Sequence, residues 1–340
     1  MLSIRGHHYR FDQVPGVFKE SFIIHGYRHP KSSAKQCVLS IFQGNNETLN
    51  VWTHFLPIWY FLWRFIRLTH VMDFWNDPYC CPLLAFMITV CAYLLFSAAA
   101  HAFNTMSVRA RHICFMIDYA GLSLYGFGAS VVYKAYAFPD YLFDTWYADV
   151  YLPIAFVLCI LCTFFSSLSR FIQPGTFQKV CRLGAFAIPC TWASLPVLFR
   201  VIFCFLDVQG CFEAALMYHL WQFFFVFTAA FLYASHMPER LIPGKFDIIG
   251  HSHQLFHICS VLASNCQTNA VLSDHMERKT LLENHNTVPS FTISIIGMSA
   301  IAVINMLIVI SFAIKLHYTH FQVDDLINVP ASNSHKCKCH

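Results

Sequence analysis

The chain has 340 residues, of which 57% are hydrophobic, 17% aromatic and only 12% charged. A soluble domain carries about a quarter charged residues, so this composition, with a mean hydropathy of +0.50, places the protein in a membrane rather than in water. The net charge of +4 leaves no footprint for nucleic acid, and the 15 cysteines lie mostly singly in apolar runs, where they form no disulfide framework and act as small hydrophobes.

Residues Met1 to Asn50 are polar and of mixed charge, without the apolar core of a cleaved signal peptide. The first membrane segment is therefore expected to serve as the insertion signal. Within this region Ser33–Gln43 reads as a short amphipathic segment, suited to the interface or to packing under the bundle. Asn46-Glu47-Thr48 matches a glycosylation sequon, but it lies against the membrane on the side assigned below to the cytosol, where no sugar is expected.

Apolar runs of roughly 20 residues, the span of one hydrocarbon core, occur eight times: Leu49–Leu68, Cys81–Phe103, Ile113–Tyr133, Tyr147–Leu168, Gly184–Leu206, Ala214–Ala234, Ile248–Val271 and Ser290–Leu316. The expected fold class is an all-α membrane protein: a seven-helix core over 48–272, an outer connection over 273–289, an eighth transmembrane helix over 290–316, and a tail over 317–340. The tail holds His335, Cys337, Cys339 and His340, and reads as polar chain rather than as a metal or acylation tract. Lys and Arg in the connections set the orientation. Of the 22, 16 fall on the side of the amino-terminal tail and only Lys134, Arg278 and Lys279 lie on the other; Arg64, Arg67 and Arg200 sit near span ends on that poorer side. Both termini are thus expected in the cytosol.

Ionisable groups inside membrane spans are costly and are functional candidates by default. Ser97 and His101 stand at i and i+4 near the inner end of the second span. Asp118 lies two turns into the third span, which starts from the cytosol, and reads as the only carboxylate in the interior of a span. His253 and His257, again i and i+4, open the seventh. The orientation, taken from Lys and Arg alone, gathers His101, Asp118, His253 and His257 at one depth. Three neutral imidazoles with an open fourth position are the ligand set of a catalytic-type zinc site, and zinc suits imidazole better than the rarer iron or nickel. Asp118 would then be placed as general base or orienting group, with Ser97 beside it. Spacing alone leaves a hydrogen-bonded His/Asp cluster without metal equally open. Asn46, Glu47, Asn50 and His54 lead into the first span and read as caps and anchors, and Pro238-Glu239-Arg240 as turn and cap chemistry. His251 falls off the His253/His257 face, and His219 lies toward the outer end of its span. Gly121, Gly126, Gly128 and Ser130 read as a packing stripe.

Taken together, Asn46-Glu47-Thr48-Leu49-Asn50-Val51-Trp52-Thr53-His54, Ser97-x3-His101, Asp118-Tyr119, His236-x-Pro238-Glu239-Arg240 and Gly250-His251-Ser252-His253-Gln254-Leu255-Phe256-His257 resemble the progestin and adipoQ receptor family. Gly26-Tyr27-Arg28-His29-Pro30 and the eighth span resemble its membrane progestin receptor branch, of gamma or delta type. The resemblance implies a seven-helix bundle of the adiponectin-receptor type, in the plasma membrane, with a cytosolic amino terminus. It implies zinc ligands at His101, His253 and His257, a water-contacting carboxylate at Asp118 and a site serine at Ser97. It further implies a progestin ligand and signalling through inhibitory G proteins, or alternatively ceramidase-like hydrolysis of a sphingolipid amide with Asp118 and Ser97 as catalytic groups.

Overall fold

The computed structural model describes residues 8–173, 175–206, 214–285 and 288–318. After two short 3-10 turns come α1 (Ala34–Ser40), α2 (Thr48–Thr69), α3 (Cys81–Phe103), α4 (Val108–Val132), α5 (Trp146–Leu168), α6 (Thr176–Leu206), α7 (Ala214–Ser235), α8 (Ser252–Glu277), α9 (Lys279–Asn284) and α10 (Gly297–Tyr318). There is no strand among the described residues. The tail tract around His335–His340 lies outside them.

Among the described residues eight helices have the length of a membrane crossing, and six of them are apolar enough to qualify on composition: those containing α3, α4, α5, α6, α7 and α10. The two that fall short, α2 and α8, both carry polar residues to the interior, α8 more of them than any other helix among the described residues. Asn50 and His54 on α2, and Gln254, His257, Ser264, Gln267, Thr268 and Asp274 on α8, are all buried. In a bilayer such side chains are tolerated when they face other helices instead of lipid. The polarity that weakens α2 and α8 as hydropathy peaks is therefore what equips them as interior helices.

Among the ring of seven, α3 is the centre: Leu83, Phe86, Met87, Val90 and Leu94 are almost wholly inaccessible. Lipid tails are as apolar as these side chains, so packing rather than hydrophobicity holds the helices together. Glycines on α4 permit that packing. A Cβ at Gly128 would fall 2.2 Å from Thr89 Oγ1, and one at Gly121 would lie 2.9 Å from Phe96 Cδ2 and 3.2 Å from the Tyr93 backbone. Gly121 and Gly128 of the small-residue stripe thus lie in the α3–α4 interface, while Gly126 faces Cys159 of α5. On the other side α2 touches both α3 and α8, and α7 packs along α8 while hardly meeting α6. Helix α10 sits outside the ring against α4 and α5, where Asn305 donates to Ser123 (3.2 Å) and Phe312 meets Phe164 and Phe171.

Two expectations are corrected. The seventh segment is shifted: α8 starts at Ser252 and runs to Glu277, because Ile248 and Ile249 belong to the turn before it and the helix continues through polar residues. That continuation buries Asp274 completely, so Asp118 is not the only carboxylate inside a span.

Candidate metal centre

The site is framed from the amino-terminal segment. Gly26 adopts φ +84, and a Cβ there would meet the Asn46 backbone nitrogen at 3.2 Å, so the chain can pass close enough for Asn46 N–H to reach the Gly26 carbonyl (3.0 Å). Two residues on, Arg28 is buried and its guanidinium donates to the carbonyls of His101 (2.6 Å) and Ala102 (2.7 Å) and to Asn104 Oδ1 (2.8 Å). These are orphan carbonyls at the end of α3, and a cation there also meets the negative end of the helix dipole. Arg28 therefore fixes where α3 stops and how His101 is presented.

The start of α8 is fixed in the same way. Gly250 takes φ +90, and its N–H donates to Gln254 Oε1 at 2.6 Å while Gln254 Nε2 reaches back to the Ile248 carbonyl at 2.8 Å. Glu239 accepts from Ser252 N–H at 2.7 Å and from the Ser252 hydroxyl. The Pro-Glu-Arg motif thus supplies the carboxylate that caps α8, which sets the rotational phase of His253 and His257. His251 turns aside to the Asn46 carbonyl (3.0 Å) and does not join the cluster.

His101, His253 and His257 come together, their candidate ligand atoms all within 4.8 Å of one another. His101 Nδ1 lies 2.8 Å from Glu47 Oε2 in a buried pair. Glu47 also accepts from Asn50 (2.7 Å) and Asn104 (2.7 Å). Burial pushes the Glu47 carboxyl up, but His101, with Arg28 and Arg111 beyond it, overrides this and holds it well below the usual carboxylate range. In a neutral His101 a carboxylate at Nδ1 selects the tautomer with its proton there, which leaves Nε2 as a lone pair. His257 Nδ1 faces the Asn50 carbonyl (3.1 Å), which can only accept, and the Thr53 hydroxyl (3.2 Å), so its Nε2 is also free. His253 Nε2 stands 3.2 Å from His101 Nε2. Carboxylate or carbonyl partners behind metal-ligating imidazoles set tautomer and direction, and this arrangement could hold a metal ion.

Asp118 is half-buried, within hydrogen-bonding reach of Ser97 and in the electrostatic neighbourhood of His101. His54 stacks face to face on His257, with centroids 3.8 Å apart, and meets Tyr93 edge-on. His236 in the α7–α8 connection is 3.9 Å from Glu239 and stays apart from the three histidines, as does His219 near the outer end. Glu47 and Asn50, read from sequence as caps or anchors, are instead partners of the imidazoles, as is Thr53, which that reading did not single out. The signal was present: residues 47, 50, 54, 58 and 61 recur at helical spacing, and all five are buried.

The family model described as haemolysin-III related matches residues 42–268, a stretch that contains every one of these groups except Gly26 and Arg28. The chain belongs to this family, the progestin and adipoQ receptors. It is 48% identical over 276 residues to membrane progestin receptor gamma of Homo sapiens, covering 81% of this chain and 83% of the relative. It is 44% identical over 308 residues to human membrane progestin receptor delta (89% of each chain), and 41% identical over 330 residues to membrane progestin receptor gamma-A of Danio rerio (92% and 95%). With the six apolar helices, family membership makes this a multi-pass membrane protein.

Proposed function

We propose that this chain is a plasma-membrane receptor for a progestin-like steroid, with a zinc ion held by His101, His253 and His257 in the cytosolic half of the bundle and signalling through inhibitory G proteins. The observation that carries the zinc assignment is the convergence of the imidazoles. A tetrahedral ion with nitrogen ligands at about 2.0–2.1 Å keeps them about 3.3 Å apart, and the His101 and His253 nitrogens stand at 3.2 Å. Three imidazoles with no cysteine ligand also leave a coordination position open. The steroid ligand is supported by the relatives, which are named membrane progestin receptors, and the cytosolic placement by the distribution of Lys and Arg. Cells expressing the protein should show saturable progestin binding above untransfected cells; its absence would remove the receptor reading.

A second reading is favoured by Asp118 and Ser97, which a ligand-binding metal site does not require. It is hydrolysis of a ceramide-like lipid amide. Bound zinc would supply a lowered water pKa and polarise the amide carbonyl. Asp118 is positioned to take the proton of the attacking water and return it to the departing amine. Ser97, within reach of Asp118, would hold that carboxylate toward the site. Glu47 and Asn50 keep the imidazoles oriented and take no part in proton transfer. Fatty acid release from ceramide by purified, zinc-loaded protein, lost in Asp118→Asn, would support this reading; equal rates in both proteins would exclude it.

A further inference from the structure

Three arginines from three elements meet at the end of the bundle that the charge bias places in the cytosol. Arg111 opens α4 and is buried, Arg170 follows α5, and Arg182 lies in the second turn of α6; the last two are half-buried. His112 sits within the electrostatic reach of all three. Arg111 pairs with Glu20. No ion pair joins Arg170 or Arg182 to a carboxylate among the described residues. Their contacts are neutral: Arg170 donates to His112 Nδ1 (3.0 Å) and approaches the Tyr119 hydroxyl (3.4 Å), while Arg182 donates to Ser169 Oγ (3.1 Å) and comes within reach of Tyr233. The trio thus carries three positive charges against one negative. Enclosed, uncompensated charge is unfavourable, and stacking on aromatic rings offsets only part of that.

The same rings tie the arginines to the metal centre. The Phe115 ring lies under both Arg111 (5.1 Å) and Arg170 (4.9 Å), and its edge meets the His101 imidazole, with centroids 5.7 Å apart. Between the two lies interior space. Asp118, Tyr125, His253 and Tyr233 are surrounded by protein and yet keep accessible surface, and Cys190 on α6 is enclosed and still exposed. Side chains so deep retain accessible area only where they line a cavity. These residues set it between α4, α6, α7 and α8.

We infer that the cavity takes an amphiphile whose oxyanion head, a sulfate or phosphate, is gripped by Arg170 and Arg182 with Arg111 behind them, while its apolar body lies between α4, α6 and α7. Planar guanidinium forks match such oxyanions with paired hydrogen bonds, and an anion there supplies the missing countercharge. The inference deepens the steroid reading, because it selects a charged conjugate over the neutral steroid. A sulfated steroid and a lysophospholipid share the chemistry, and so does the free anion.

The test uses the full-length protein in phosphatidylcholine nanodiscs. Pregnenolone sulfate is compared with pregnenolone, oleoyl lysophosphatidic acid with monoolein, and sodium sulfate serves as competitor. In at least one pair the anionic member should bind at least ~10-fold more tightly, and the Arg170→Gln/Arg182→Gln protein should bind both members of that pair alike while keeping its affinity for the neutral one. Exposed Lys179→Gln should change neither. Equal affinities within both pairs, loss of neutral and anionic ligands together in the arginine variant, or displacement by sulfate at the amphiphile's own concentration would overturn the inference. Binding of the neutral steroid with equal affinities within both pairs would sink this inference alone. Failure of both steroids beside arginine-dependent binding of the lysophospholipid would sink the steroid reading and leave this one standing.

Discussion

The bundle contains two buried clusters built from the same residue types. At one end stand His101, His253 and His257 with Asp118; at the other stand His219, Asp274 and Arg200. In the outer cluster every group turns toward another. Asp274, fully inaccessible, takes Arg200 at 2.7 Å and His219 at 3.5 Å. His219 continues to Gln222 (3.2 Å), and Gln222 to the Tyr133 hydroxyl (2.6 Å). In the inner cluster His101 and His257 are held from behind, by Glu47 and the Asn50 carbonyl, and His253 Nε2 stands 3.2 Å from His101 Nε2 on the open side. The residue types are shared, although His253 and Asp118 are half-buried whereas His219, Asp274 and Arg200 are all buried. Direction distinguishes them: a closed ion pair ties helices together, whereas converging lone pairs leave room for an ion.

The largest effect that sharpens this contrast falls on the outer cluster. Asp274→Ala takes from the buried Arg200 a carboxylate at 2.7 Å and from His219 its acidic neighbour, a loss of about 3–5 kcal/mol. It should appear as a lower thermal midpoint and reduced surface expression, with metal per folded chain unchanged. A smaller effect is expected behind the inner cluster. Glu47→Gln keeps the shape but removes the charge that orients His101, and should weaken metal affinity about 10–100-fold, read by chelator competition, with the metal-free midpoint nearly unaltered. The smallest belongs to His54. Neither of its ring nitrogens has a hydrogen-bond partner although the residue is buried, so His54→Phe gives up no bond and should preserve stability within about 0.5 kcal/mol. Loss of metal in this variant would mean that His54 takes part in the inner cluster, contrary to the division drawn here.

Much of this contrast was legible in the chain. Spans rich in lipid-facing side chains announce themselves by composition: Cys81–Phe103 was bounded to the residue, and Ala214–Ala234 to within one. The histidines could be placed in one layer because i,i+4 spacing and the charge bias fix both face and depth. Hydropathy reads poorly where a helix turns its polar side inward, so α8 was cut short of Asp274 and the whole outer cluster went unseen. Glu47 escaped for a related reason. A carboxylate at a helix start looks like a cap, and only the position of α3 against it turns it toward His101. The unpaired arginines counted toward topology, but nothing local in the chain shows Arg170 and Arg182 converging on the face of α4 that carries Phe115.

Metal content of the purified protein tests the central claim most directly, measured by elemental analysis on wild type beside His253→Ala, with both shown to be folded. One zinc per chain is expected in the wild type and less than about a tenth of that in the variant, since two imidazoles without the third lack the donor set of a closed or catalytic site. A wild-type chain that stays metal-free after zinc loading, or a variant that retains its zinc, would contradict it.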